Sequence, residues 1–184
     1  KLNIDSNPQI LISKKSIQDT AIKYDIKKKK LNILLGIGGS GTTKRIPAEI
    51  FIKSMQLISL KHDCNFFLAT GRNKHEQEIL ISIMNSELKH NCFALDKLTL
   101  KEILPIIKNC EISICNDSSF SHLSSALGVK TIVLMSDTPL VYGSYSPRMY
   151  PIIPNDEETV SHNTLGKEKI DPKKIYEKLN ELLN

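Results

Sequence analysis

Residues 111–128 read EISICNDSSFSHLSSALG, and the fold turns on how this stretch is understood. It opens with a nearly continuous apolar run from Ile112 to Cys115, turns polar at Asn116-Asp117-Ser118-Ser119, and ends at Gly128. A short apolar run of this kind is what a strand covered on both faces presents. Asp117 or Ser118 is a natural helix N-cap, and Gly128 a natural C-cap. The stretch therefore reads as strand, tight loop and helix, the repeating unit of a parallel sheet.

Outward from it, the same alternation recurs in both directions. Strands are expected over 9–12, 32–36, 65–70, 91–95, 111–115, 130–135 and 150–153. Helices are expected over 14–24, from Pro47 onward, and over 74–84, 100–109, 118–127 and 172–183. Pro47 suits a first helical turn, and Phe51, Met55 and Ile58 then fall on one face. This predicts an α/β fold, a Rossmann-like parallel sheet with helices on both faces. Residues 1–30 read as a connector with one strand and one helix, and residues 31–184 as the compact domain. In open sheets of this type ligands bind beyond the C-terminal strand ends, so the loops there are where function is sought.

Composition narrows the classes. No run of about 18 apolar residues is present, which excludes a membrane-spanning helix. Lys and Arg outnumber Asp and Glu by 25 to 20, a modest excess that suits an anionic small ligand. Aromatic residues are 5% of the chain, Trp is absent, and no basic stripe is interleaved with aromatics, so nucleic acid is not an expected partner. The run Lys27-Lys28-Lys29-Lys30 reads as a solvated hinge, with an acidic membrane surface as its other reading. Cys64, Cys92, Cys110 and Cys115 form no C-x-x-C pair and read as buried thiols in a reducing compartment. The histidines show no metal-ligand spacing, so no metal is expected.

Two loops carry the chemistry. After the second expected strand comes Gly36-Ile37-Gly38-Gly39-Ser40-Gly41-Thr42-Thr43-Lys44-Arg45. It contains G-x-G-x-x-G, yet Pro47 sets the helix start six residues beyond the third glycine of that pattern, and the next strand ends in Thr70-Gly71 without a ribose-binding acid. It misses a P-loop as well, because Thr42 stands where Lys is required. What remains is backbone N–H groups free to approach an anion, hydroxyls at Ser40, Thr42 and Thr43, and the charges of Lys44 and Arg45. The second loop is Asn116–His122, where free N–H groups at a helix start offer a phosphate site and His122 lies one turn in. A flexible turn in the first loop and simple capping in the second are the competing structural readings.

Three segments then carry a resemblance. Ser40-x3-Lys44-Arg45-Ile46-Pro47-x-Glu49 resembles a small-hydroxyl, Lys, Trp-Pro segment. Asp117-Ser118-x3-His122-x3-Ala126-Leu127-Gly128 resembles an Asp-(Thr/Ser)-Gly-x-x-His-x-x-x-Ala-Leu-Gly signature, and Leu98-Thr99-Leu100 resembles the start of the helix before it. All three belong to the ADP-heptose–lipopolysaccharide heptosyltransferases, glycosyltransferase family 9, and their order and spacing agree over about residues 30–155. The resemblance implies the C-terminal, donor-binding half of a GT-B enzyme, with the active site in the cleft between two Rossmann-like domains. It implies that Ser40, Lys44 and the backbone N–H groups of Ser118 and Ser119 contact a diphosphate. By the same likeness Asp117 hydrogen-bonds the sugar, His122 lies near the phosphates, Glu76 binds the ribose hydroxyls and Leu98 packs on adenine.

The implied reaction is inverting transfer of heptose from ADP-heptose to a lipopolysaccharide core acceptor, with the nucleotide sugar as substrate and no cofactor. No catalytic residue is expected within this stretch. The base and the acceptor site are assigned by the resemblance to an N-terminal domain that the stretch lacks, so it is expected not to turn over alone. The implied setting is the bacterial cytoplasm, with peripheral contact at the inner face of the inner membrane. Ser119 stands where the family has Gly, Ile46 where it has Trp, and Ser136-Asp137-Thr138-Pro139 matches a Gly-x-Thr-x-Pro loop loosely, at Thr138. These departures bear on the identity of the donor. The alternatives are a transferase using another nucleotide sugar, a non-catalytic nucleotide-binding module, and a dinucleotide-dependent oxidoreductase weakened by the displaced helix.

Overall fold

The computed structural model describes residues 7–27 and 29–184. Residues 1–6 of the expected connector, and Lys28 within the basic run, lie outside the described residues. The strands are β1 (Leu31–Gly36), β2 (Cys64–Ala69), β3 (Cys92–Ala94), β4 (Ile112–Asn116), β5 (Lys130–Leu134) and β6 (Met149–Ile152). The helices are α1 (Lys14–Lys23), α2 (Ala48–Ser59), α3 (Lys74–Met84), α4 (Leu100–Lys108), α5 (Ser119–Ala126), α6 (Val141–Ser144) and α7 (Pro172–Leu183). The six strands form one sheet in the order β3-β2-β1-β4-β5-β6, and every pairing is parallel.

Both faces of the sheet are covered, and the strand residues sort by a period of two. Ile33 and Leu35 of β1, Phe66 and Leu68 of β2, and Ile112 and Ile114 of β4 share one apolar cluster with Phe51 and Met55 of α2, Leu80 of α3 and Leu179 of α7. Leu34, Phe67 and Cys115 face the other way, onto Ile103, Ile106 and Ile107 of α4. This two-sided burial is why the strands read as continuous apolar runs. Gly128 ends the α5 turn at φ +82°, the left-handed conformation that a C-capping glycine takes without strain.

The strand expected over 9–12 does not form. Ile10 N–H donates to Ala126 O at the end of α5 (2.9 Å), and Ile10 and Ile12 pack against the α4-side cluster while Leu11 is exposed. An extended segment lying on helices alternates in burial as a strand does, and the sequence pattern does not distinguish the two. Conversely α6 and the 3-10 turns at Thr42–Lys44, Lys89–Asn91 and Lys167–Lys169 were not expected; each is too short for a helical periodicity to show.

The strand order reverses between β1 and β4. From β1 the chain crosses to β2 on one side, and from β4 to β5 on the other, so the loops leaving these two strands diverge and open a crevice. Gly36, the last residue of β1, pairs in register with Cys115. A Cβ there would lie 2.6 Å from Cys115 Sγ and 3.1 Å from Phe120 Cβ, so the missing side chain is what lets α5 close over the end of β1.

Candidate functional site

The two loops meet at this crevice and are stitched together by Asn116. Its buried side-chain amide donates to Ile37 O (2.9 Å) and Gly38 O (3.2 Å), holding the first turn of the glycine loop against the end of β4. Arg45 Nε donates to Gly39 O (2.8 Å), closing the loop from its far end. The 3-10 turn Thr42–Lys44 then brings Lys44 back across the opening.

Lys44 Nζ lies 2.8 Å from Asp117 Oδ2, and Thr138 Oγ1 donates to the same oxygen at 2.6 Å. Asp117 is 5% exposed, whereas the Lys44 side chain is 27% exposed. The carboxylate is thus fixed inside and the ammonium sits at the lip, where an anion can reach it. Beside them α5 begins with an open N-terminus. Ser118 occupies the N-cap but its side chain makes no capping bond, and its buried Oγ has no partner among the described residues. The first-turn N–H groups are left without a side-chain acceptor, which is the arrangement a bound anion completes.

Two cavities adjoin here and share Ser40, Ser118 and Ser119. The first, of about 330 Å³, adds Lys44, Asp117 and His122. The second, of about 490 Å³, runs toward Gly71 and Glu76 at the end of β2. Glu76 is 6% exposed and its carboxylate is already engaged: Oε1 accepts from Gly39 N–H (2.7 Å) and Oε2 from the Asn73 side-chain amide. A Cβ on Gly71 would fall 2.3 Å from Glu76 Oε2, and one on Gly38 2.7 Å from Oε1, so two glycines make room for this acid between the loops. His122 lies one turn into α5, with Nδ1 3.0 Å from the Tyr145 hydroxyl.

Of the residues singled out in the sequence, Ser40, Lys44, Asp117, Ser118, Ser119 and His122 share the first cavity and Glu76 lies in the second. Leu98 lies at neither; it packs against the α4-side cluster beyond β3. Thr138, matched only loosely by motif, proves to be a direct partner of Asp117. Asn116, Asn73, Tyr145 and His162 carried no motif. His162 reaches the first cavity on the loop after β6, where Asn163 (φ 73°) and Leu165 (φ 52°) take left-handed backbone conformations. That loop is held by Asp137, whose Oδ1 accepts from Leu165 N–H at 2.9 Å, and by Gly166 N–H donating to Ser136 O at 3.0 Å. The Leu165 N–H holds the Asp137 carboxyl below its ordinary range, against the opposing effect of burial. Among the described residues no group of three His, Cys, Asp or Glu side chains is placed to hold a metal ion.

Comparison with known proteins agrees with this architecture. Residues 2–179 match the family described as glycosyltransferase family 9 (heptosyltransferase). A 104-residue stretch is 33% identical to lipooligosaccharide heptosyltransferase 2 of Campylobacter jejuni, covering 53% of this chain and 31% of that protein. The structure of the E. coli ADP-heptose lps heptosyltransferase II superposes with a TM-score of 0.76 at 23% identity, over 96% of this chain and 53% of that one. The E. coli heptosyltransferase WaaC with ADP superposes with a TM-score of 0.70 at 15% identity, over 85% of this chain and 45% of that one. The chain thus spans from 31% to 53% of the length of these relatives.

Proposed function

The chain belongs to glycosyltransferase family 9, the heptosyltransferases, and on that premise we propose that it is the donor-binding half of an inverting GT-B glycosyltransferase. The proposed reaction moves heptose from ADP-heptose to a lipopolysaccharide core acceptor, which the other half of the enzyme holds together with the catalytic base. One observation carries this reading: Lys44, Asp117 and the open N-terminus of α5 converge on a single cavity at the strand-order reversal. An ammonium, unpaired helix N–H groups and small hydroxyls are the donor set that a diphosphate needs.

As the acceptor oxygen attacks the anomeric carbon from one side, the nucleoside diphosphate departs from the other and gains negative charge. Lys44 and the first turn of α5 are fixed in advance where that charge accumulates, so they stabilise the transition state more than the bound donor. Asp117 keeps Lys44 in place until the donor arrives and offers its second oxygen to a sugar hydroxyl. Glu76, which lines the second cavity, faces the ribose, whereas Leu98, which lines neither cavity, is given no contact with the donor. The enzyme works in the bacterial cytoplasm with its acceptor presented at the inner membrane face, where the basic residues around 27–30 favour anionic lipid.

The reading is tested by melting the chain with ADP, UDP, GDP and NAD at millimolar concentration. A ligand at 100 times its dissociation constant stabilises the fold by about 2.7 kcal/mol. ADP alone should raise the melting temperature, and Lys44→Ala should abolish the rise. Preference for UDP or GDP would discard ADP-heptose as donor, and preference for NAD would return the glycine loop to dinucleotide chemistry.

A further inference from the structure

His122 lines the proposed diphosphate cavity, yet an imidazole helps an anion only through an N–H. Which nitrogen carries the proton is set by what the other one meets. Here Nδ1 lies 3.0 Å from the Tyr145 hydroxyl, and the two rings also stack, with centroids 5.6 Å apart and planes inclined by 22°. Tyr145 comes from the turn that ends α6, an element separate from the helix that carries His122. The imidazole is therefore held in plane by the stack and in direction by the hydrogen bond, and among the described residues Nε2 is its one ring nitrogen without a partner.

We propose that Tyr145 is a positioning residue that fixes the Nε2–H tautomer of His122, so that the ring presents a hydrogen-bond donor to an anionic ligand. A neutral tyrosine hydroxyl can donate to a bare Nδ1, which leaves the imidazole proton on Nε2. Burial raises the Tyr145 pKa and keeps that hydroxyl protonated. The opposite arrangement, with Nδ1–H donating to the hydroxyl oxygen, would turn a lone pair toward the phosphate oxygens. Lys44, Asp117, Tyr142 and His162 are the other ionisable groups lining this cavity, and Asp117 is already engaged by Lys44 and Thr138. Tyr145 thereby supplies a neutral donor beside a cation, without calling for a second charge in the same small space.

The ligand half of this inference rests on the donor-binding reading above; the tautomer half does not, and the two are measured separately. Imidazole nitrogen NMR spectra of the ligand-free chain, under alkaline conditions where free imidazole is neutral, should show His122 as the Nε2–H tautomer. Tyr145→Phe, which keeps the stacked ring and removes the hydroxyl, should shift it toward a mixture. An Nδ1–H tautomer in the parent chain, or the same tautomer in both proteins, overturns the proposal. In ADP titrations Tyr145→Phe should weaken binding about fivefold, the equivalent of one ordinary hydrogen bond, and should add nothing in a His122→Ala background. A full-sized effect in that background shows that Tyr145 acts through something other than His122 and sinks the positioning role. Failure of the parent chain to bind ADP contradicts the donor-binding reading instead, whatever the tautomer spectra show.

Discussion

Lys44 holds an ammonium 2.8 Å from a carboxylate that solvent scarcely reaches, and this geometry sets what its removal does. In Lys44→Ala the Asp117 carboxylate keeps the Thr138 hydroxyl but loses its counter-charge, which should cost about 1–3 kcal/mol in denaturant unfolding. Adding Asp117→Asn should restore part of that loss, because the uncompensated buried charge is gone; a double variant less stable than either single would contradict the pairing. The cysteines give a second prediction. All four are free and buried, with burial the largest cause pushing Cys64 and Cys115 up to about 12 and Cys92 up to about 11. Native protein should resist thiol reagents at neutral pH and react at all four sites once unfolded. Because the folded thiols titrate above the unfolded value of about 8.5, their contribution is complete below that pH and is lost as pH rises toward the folded values. Melting temperature should accordingly fall from about pH 8.5 upward, and Cys115→Ala should flatten the decline.

At the scale of elements, the loop after β6 is the part whose construction the sequence concealed. Asp137 anchors it by accepting the Leu165 N–H, and the depressed carboxyl pKa means this support is present above the unfolded aspartate pKa of about 3.9 and disappears as pH falls. Asp137→Ala, which removes the acceptor, should raise hydrogen exchange at Leu165 and Gly166 about tenfold or more while leaving the amides of β1 and β4 unchanged. Equal exchange at those sites would show that the anchor carries no load. Nothing in residues 153–166 forecast this arrangement, since left-handed Asn163 and Leu165 are stabilised by contacts distant in sequence. By contrast α3 and α7 were legible to the residue, because an Asn N-cap and an Asp-Pro start sit directly before amphipathic runs. The 9–12 segment failed for the opposite reason: its alternation was real, but the surface it met was helical.

For the whole molecule, the α/β layering was readable because the inner strands β1, β2, β4 and β5 are buried on both faces, whereas the order β3-β2-β1-β4-β5-β6 was not, since sequence periodicity carries no information about which strands are neighbours. That order is what converts two loops about 80 positions apart into one crevice, and so it decides the site. Loop composition singled out Ser40, Lys44 and the Asn116–His122 segment, while the bonds by which Asn116, Thr138 and Tyr145 hold these loops are seen only in the structure. A nucleoside diphosphate is proposed to bind in this crevice, and an ADP titration followed by amide chemical shifts of the labelled chain tests this. Shifts should concentrate at Gly38–Gly41 and Ser118–Phe120, on both sides of the β1/β4 reversal. Shifts centred instead on the apolar groove lined by Leu57, Leu60 and Pro172, or no shifts at millimolar ADP, would contradict it.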